Sequence, residues 1–344
     1  MKLAYAGTLP LQGTEIAAQW DSLYWFMVIL SVFFFVLVVG GMIYFAVRYR
    51  NSVAKKTLYI KDNHLIEATW TIIPTILLMV IFGWGYVVYN RMTQAPSDAY
   101  EVRVIGKQWL WQFQYDDGRT TVNELYVPAN RPVKLIMTSE DVIHSFFVPN
   151  FRIKQDVVPG MYSSVWFNTT MPGKHQVFCT EYCGTSHSLM EAQVIALDEK
   201  QWSDWVRGKS IDNVPVNGLG NVPFTAAERE GKTEQSAQAG GEGSIQLAGL
   251  ALEGKKVTEA KGCVACHSAD GTAKVGPSFK GAFGRKAEFV SGDSVTADEN
   301  YIRESIVNPQ AKVVKGFGPV MPTFQGMVSE TEINAVIAYL KALK

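Results

Sequence analysis

The sequence has no charge surplus: 32 Lys and Arg balance 32 Asp and Glu over 344 residues, a formal net charge of zero. Without excess basic side chains to neutralise phosphates, a nucleic-acid partner is not expected. Charge is also missing locally. From Leu23 to Val47 the chain reads LYWFMVILSVFFFVLVVGGMIYFAV, 25 residues without Asp, Glu, Lys or Arg; at ~1.5 Å per residue this crosses a ~30 Å hydrocarbon layer. A second uncharged run, Thr69 to Tyr89, carries Trp and Tyr near both ends, where aromatic rings favour the membrane interface. Runs of this length and pattern argue against two core helices of a soluble protein. Pro74 lies a turn inside the second run, where neighbouring helices or water can re-satisfy the freed backbone group. The N-terminal tail lacks the compact apolar core of a cleaved signal peptide, so the first span is expected to be its own export signal.

What is present follows from that hairpin. Arg48, Arg50, Lys55, Lys56 and Lys61 lie between the spans, against Lys2 alone in the tail and Arg91 after the second span. The connecting loop is therefore expected in the cytoplasm, and everything after about Asn90 outside. In a bacterium this places two spans in the cytoplasmic (inner) membrane and the rest of the chain in the oxidising space that handles exported copper and haem proteins. Four units are expected: a tail and helical hairpin over 1–95, an all-β unit over 96–208, a flexible tether over 209–243 and an all-α unit over 244–344. The β unit shows short alternating runs between turns at Asp117-Gly118, Pro159-Gly160 and Pro172-Gly173. The tether is rich in Gly, Asn, Ser, Gln, Ala and Glu. The last unit ends in SETEINAVIAYLKAL, where Ser329 and Glu332 form a capping-box pattern and Ile333, Val336, Ile337 and Leu340 share a face. No internal repeat and no long low-complexity tract is present.

All four cysteines fall in two stretches, CTEYCGTSHSLM (from Cys179) and CVACH (from Cys263). In an exported loop, Cys179 and Cys183 by themselves read as a disulfide. Their neighbours His187 and Met190 add an imidazole and a thioether, and soft sulfur donors with imidazole suit copper; a zinc site has little use for the methionine. A second imidazole must come from elsewhere if two ions are held. His64 is on the cytoplasmic side and His267 belongs to CVACH, which leaves His144, at the end of a predicted strand, and His175, within KHQVFC and expected at the surface. Trp109, Trp111, Phe113 and Tyr115 alternate, so on a strand they share one face, the signature of a packed core. CVACH is CxxCH, the pattern for covalent attachment of a c-type haem through both thiols with the histidine on iron; a CxxC redox or zinc site is the rival.

SEDVIHS followed about 35 residues later by CTEYCGTSHSLM, after a two-helix hairpin and GKQWLWQFQY, resembles subunit II of the haem-copper cytochrome c oxidases over roughly residues 20 to 205. The resemblance implies a cupredoxin-like barrel with a dinuclear copper centre, Cu-A. Cys179 and Cys183 would bridge the coppers, completed by His144, His187, Met190 and the main-chain carbonyl of Glu181. It further implies that the Glu181 side chain helps hold magnesium or manganese at the contact with subunit I, as suits a hard oxygen donor. Trp109 would be where electrons enter, although Leu110 stands where the family usually has another aromatic. Glu67 would lie near the mouth of a proton channel in subunit I; read alone, it is a solvated acid at a membrane boundary.

The last hundred residues resemble a class I cytochrome c. Cys263 and Cys266 would anchor haem c, with His267 the proximal and Met321 the distal ligand, a pair that raises the reduction potential; Met327 is the other methionine available. A subunit II joined to a cytochrome resembles the caa3-type oxidases. The function expected is electron relay from an external donor, a cytochrome c or a cytochrome bc1-type complex, through haem and copper to subunit I, beside a subunit III, where oxygen is reduced to water. About 35 flexible residues span ~30–35 Å and hold the cytochrome at an effective concentration around the millimolar range. Nothing in this chain distinguishes oxygen from nitric oxide as the final acceptor, which leaves a copper-containing nitric oxide reductase as an alternative. A copper carrier or assembly protein is another, though it needs neither the paired histidines nor a haem.

Overall fold

The computed structural model describes residues 9–50, 61–211, 214–217, 242–272 and 274–343. Helix α1 (Glu15–Arg48) starts where Thr14 Oγ1 accepts the amide of Ala17, and α2 (His64–Thr93) where Asn63 accepts those of Leu65 and Ile66. Each outruns its uncharged stretch and leaves that stretch almost wholly unburied by protein. Apolar faces without protein cover are what a lipid surround accommodates. Phe26 against Trp84 and the Arg91–Gln19 hydrogen bond join the two helices. The loop on which the orientation was argued lies largely outside the described residues.

Ten strands follow: β1 (Tyr100–Lys107), β2 (Leu110–Gln114), β3 (Thr120–Val122), β4 (Glu124–Pro128), β5 (Val133–Ser139), β6 (His144–Val148), β7 (Ile153–Val157), β8 (Ser163–Phe167), β9 (Gly173–Cys179) and β10 (Glu191–Leu197). They form two five-stranded sheets, β3-β2-β1-β5-β8 and β4-β10-β9-β6-β7, with β1–β5 and β4–β10 parallel and the other pairs antiparallel. This is the cupredoxin-like arrangement. Period-two alternation builds its core: Trp111 and Phe113 are fully buried and Tyr115 nearly so. Leu110, expected to face away from them, is also buried, because Phe324 of the C-terminal unit covers it. Helix α3 (Glu199–Val206) closes the barrel, with Trp205 packed on Tyr115 and Tyr126.

His175 corrects the sequence reading. It is fully buried, on the inward register of β9, with its Nε2–H donating to the Met171 carbonyl and Nδ1 accepting from Asn150. Those bonds satisfy a polar ring that the alternation drives inside. Residues 215–217 fall within the stretch expected as a tether and pair with the barrel: Lys174 donates its amide to Pro215 and accepts that of Asn217. Most of 209–243 lies outside the described residues.

Where barrel meets hairpin, Arg152 is clamped. Its Nε and Nη2 donate to the two oxygens of Asp21 on α1 at 2.8 and 2.9 Å, and its guanidinium also bonds the Pro10, Leu11 and Pro149 carbonyls. Both side chains are nearly inaccessible.

The C-terminal unit packs the Glu242–Ala260 helix on the Glu330–Ala342 helix, which starts with the expected capping box. Ile333, Val336, Ile337 and Leu340 are buried as their spacing predicted. A two-stranded ribbon, Lys286–Glu288 with Ser294–Thr296, is added to the helices.

Two outcomes are expected. Asp21→Asn strands the buried Arg152 charge and lowers stability by on the order of 3 kcal/mol, read as a lower melting temperature of the detergent-solubilised chain. Burial pushes the His175 pKa from 6.5 down to about 4. A depressed histidine contributes stability in full above pH 6.5 and loses it as pH falls toward 4. The melting difference between the chain and its His175→Asn variant should therefore narrow between pH 7 and 4.5.

Candidate metal centres

His144 and Cys179 meet although 35 residues separate them, because β6 pairs with β9 and places Phe146 opposite Cys179. The loop from Cys179 to Met190 is pinched at its base: Cys179 donates its amide to Met190, and Thr180 to Ser145. A 3₁₀ turn, His187–Leu189, then swings His187 and Met190 back toward the cysteines. The Sγ atoms of Cys179 and Cys183 are 3.8 Å apart and both thiols are free; a disulfide would need about 2.05 Å. Around them stand His144 Nδ1, 3.9 Å from Cys179 Sγ; His187 Nδ1, 3.5 Å from Cys183 Sγ; Met190 Sδ, 3.8 Å from Cys183 Sγ; and the Glu181 carbonyl, 3.3 Å from Cys179 Sγ. His144, Cys179, Cys183 and Met190 are buried, His187 half-buried, and the Glu181 side chain exposed. The ligand atoms of His144, Cys179 and Cys183 lie within 4.8 Å of one another.

The electrostatics suit a cation. The two thiols share a proton: hydrogen bonding from Cys183 stabilises the Cys179 thiolate and pulls its pKa well down, and the same sharing, with burial, pushes Cys183 up. Burial opposes charge on His144, but its bonds to Asp141 and Cys179 prevail and raise it to about 8.

Residues that sequence reasoning passed over hold this shape. Asp141 Oδ1 accepts from His144 Nε2 at 2.8 Å, which leaves Nδ1 to face the sulfurs. Its other oxygen accepts the amide of Gln108 at 2.7 Å. The Cys183 carbonyl accepts from both the Gln108 side chain, 2.6 Å, and Trp109 Nε1, 3.2 Å. Gly184 follows at φ +120°, where a Cβ would stand 3.0 Å from both Gln108 and Trp109. The clue to Asp141 was its position three residues before His144; nothing local marked Gln108.

The second cluster lines a cavity of about 760 Å³, within the size range of cofactor sites. Cys263, Cys266, His267 and Met321 line it with Val257, Phe279, Ile302, Val336 and Leu340, and Trp109 of the barrel stands at its edge; Met327 does not line it. His267 donates Nδ1–H to the Pro277 carbonyl at 2.7 Å and stacks on Phe279, so Nε2 is the nitrogen left for a ligand bond. Burial pushes the His267 imidazole pKa down from 6.5 and the Cys263 thiol up to about 12. An apolar slot with two thiols, a neutral imidazole and a thioether fits an iron porphyrin. Glu67 joins neither cluster; it faces His64 at 3.2 Å on the exposed first turn of α2.

Three family descriptions match the chain: the transmembrane domain of cytochrome c oxidase subunit II over residues 7–84, its periplasmic domain over 119–197, and cytochrome c over 251–344. Cytochrome c oxidase subunit 2 of Alkalihalophilus pseudofirmus is 33% identical over 293 residues, covering 83% of this chain and 75% of that one. The subunit 2 of Synechocystis sp. is 28% identical, covering 58% and 75%. A solved structure, the periplasmic domain of subunit II of the Bradyrhizobium japonicum cytochrome oxidase, is 28% identical and covers 33% of this chain and 96% of that one, with a TM-score of 0.32.

Asp141→Ala removes the acceptor that orients the His144 ring, and copper retention is expected to fall on the order of 10- to 100-fold. Titration with a copper chelator measures this, while the haem absorption of the same sample stays unchanged.

Proposed function

Because the chain belongs to the cytochrome c oxidase subunit II family and carries a cytochrome c domain, we propose that it is the electron-accepting subunit of a caa3-type oxidase, with Cu-A at Cys179–Met190 and haem c at Cys263–His267. The chain is part of a haem-copper terminal oxidase, a membrane complex in which subunit I is its partner. The arrangement that carries the finer reading is the ring of His144, His187, Met190 and the Glu181 carbonyl around two unbonded sulfurs 3.8 Å apart. A disulfide needs no such ring, and a single copper held by two histidines and one cysteine with an axial thioether uses one thiolate, which would leave the second sulfur without a role. Two coppers and an iron porphyrin supply one-electron carriers in these sites.

The chain's own residues define how they work. Cys179, Cys183 and His144 have to give up the protons they hold for a cation to bind, so loading is expected to be pH-dependent. Asp141 fixes the His144 tautomer, and the Gln108–Trp109 clamp on Cys183 limits movement of the loop, which suits a site whose charge changes and whose shape does not. Trp109, between that loop and the cytochrome cavity, is the residue we assign to electron passage. Met321 is assigned opposite His267, and the Glu181 carboxylate, free at the surface, to magnesium or manganese at subunit I. Glu67 is assigned to the proton-channel side of the same contact. The donor is a cytochrome c or a bc1-type complex outside a bacterial inner membrane, and a subunit III completes the assembly.

The complex purified from membranes should contain two coppers and one covalent haem in this chain, show a mixed-valence purple band, and consume oxygen with reduced cytochrome. A Cys179–Cys183 disulfide in natively loaded protein, or fewer than two coppers in the barrel, would overturn the reading. Turnover of nitric oxide in place of oxygen would move the complex to the reductase class.

A further inference from the structure

The residue before Gly262 and the CVACH run, Lys261, is 7% exposed, an unusual position for an ammonium group. It is held by two carboxylates from different units. Its Nζ donates to Glu124 Oε2 on β4 at 2.8 Å and lies 3.7 Å from Glu332 Oε1 on the C-terminal helix. Burial works against its charge, and the two acids more than restore it. The backbone beside it is fitted as closely. Gly262 ends the preceding helix at φ +76°, where glycine is favoured, and a Cβ there would stand 2.7 Å from Asn123 Nδ2 of the barrel. Ala265, between the two cysteines of CVACH, is 1% exposed within the barrel's own apolar cluster. Its carbonyl accepts from Ser186 Oγ at 2.5 Å, and Ser186 directly precedes His187. Phe324 forms one apolar cluster with Leu110 and Val122 of the barrel, and Met321 and Met327 pack against that cluster.

We infer that Lys261 and Glu124 form a latch that docks the CVACH face of the cytochrome domain on the copper barrel in one register, in which the Ser186–Ala265 hydrogen bond directly links the two ligand loops. The inference rests on the functional reading above and assigns positioning residues that its ligand sets do not include. A loosely tethered cytochrome would not need a buried lysine paired across the contact, a glycine close against the barrel and a buried alanine at the same place. The ammonium is shielded and the Glu124 carboxylate half-buried, so salt screens the pair less than it would an exposed one.

The test is backbone hydrogen exchange on the loaded complex for the chain, Glu124→Gln, Lys261→Met and the double variant. Glu124→Gln changes only the barrel, yet exchange across 262–266 of the other domain should rise on the order of 30-fold, because removing the partner of a buried lysine is costly. Lys261→Met should loosen 184–187 of the barrel in the same way. The double variant should be no looser than either single one, the mark of a coupled pair. Unchanged exchange at 262–266 in Glu124→Gln, or effects that simply add, overturns the latch. Absent copper and haem absorption in the unaltered chain would instead sink the functional reading, so the two failures are told apart.

Discussion

The barrel's proposed metal site depends on one backbone oxygen. The Cys183 carbonyl is held by two donors from the turn between β1 and β2, Gln108 and Trp109. Asp141 holds the amide of Gln108 with one oxygen and His144 with the other. The two sides of the sulfur pair are thereby tied to one frame. Without it, nothing on the β1–β2 side would hold the loop from Cys179 to Met190 at this spacing of the sulfurs. With it, the sulfurs stay near each other and unbonded, and the imidazoles and thioether meet around them.

This explains which parts were legible in the sequence. The spans were plain because uncharged length alone decides them. The barrel's aromatic face was plain because strand alternation is a local rule, and the Cys179–Met190 cluster because its side chains are adjacent in the chain. His175 was misjudged because a lone polar residue in a short strand gives no sign of its face; register, set by pairing with β10, drove it inward. Leu110 looked like a departure from the family pattern and an outward position, but its cover comes from Phe324, more than two hundred residues away. Asp21 with Arg152 and Lys261 with Glu124 were invisible for the same reason. Ion pairs across domains have no spacing signature, and a charged residue reads as solvated until its partner is seen.

The two buried ion pairs stand at the two ends of the barrel's attachments. Arg152 ties the barrel to the first membrane helix, and Lys261 ties the cytochrome unit to the barrel. Neither is a bargain in stability, since apolar packing of similar volume often does as well. Directional pairs do fix orientation, which matters in a chain whose parts must face a membrane partner on one side and a redox partner on the other.

Covering the CVACH face has a consequence for traffic through the protein. That side of the cytochrome unit is already occupied by the chain's own barrel, with Ala265 sealed inside. Under the proposed function, a carrier diffusing in from solution would have to deliver at another flank, with reception and onward delivery on different sides of the same small domain. The unit would then be a fixed junction with an inlet and an outlet, and arriving carriers would not compete with the barrel for one landing place.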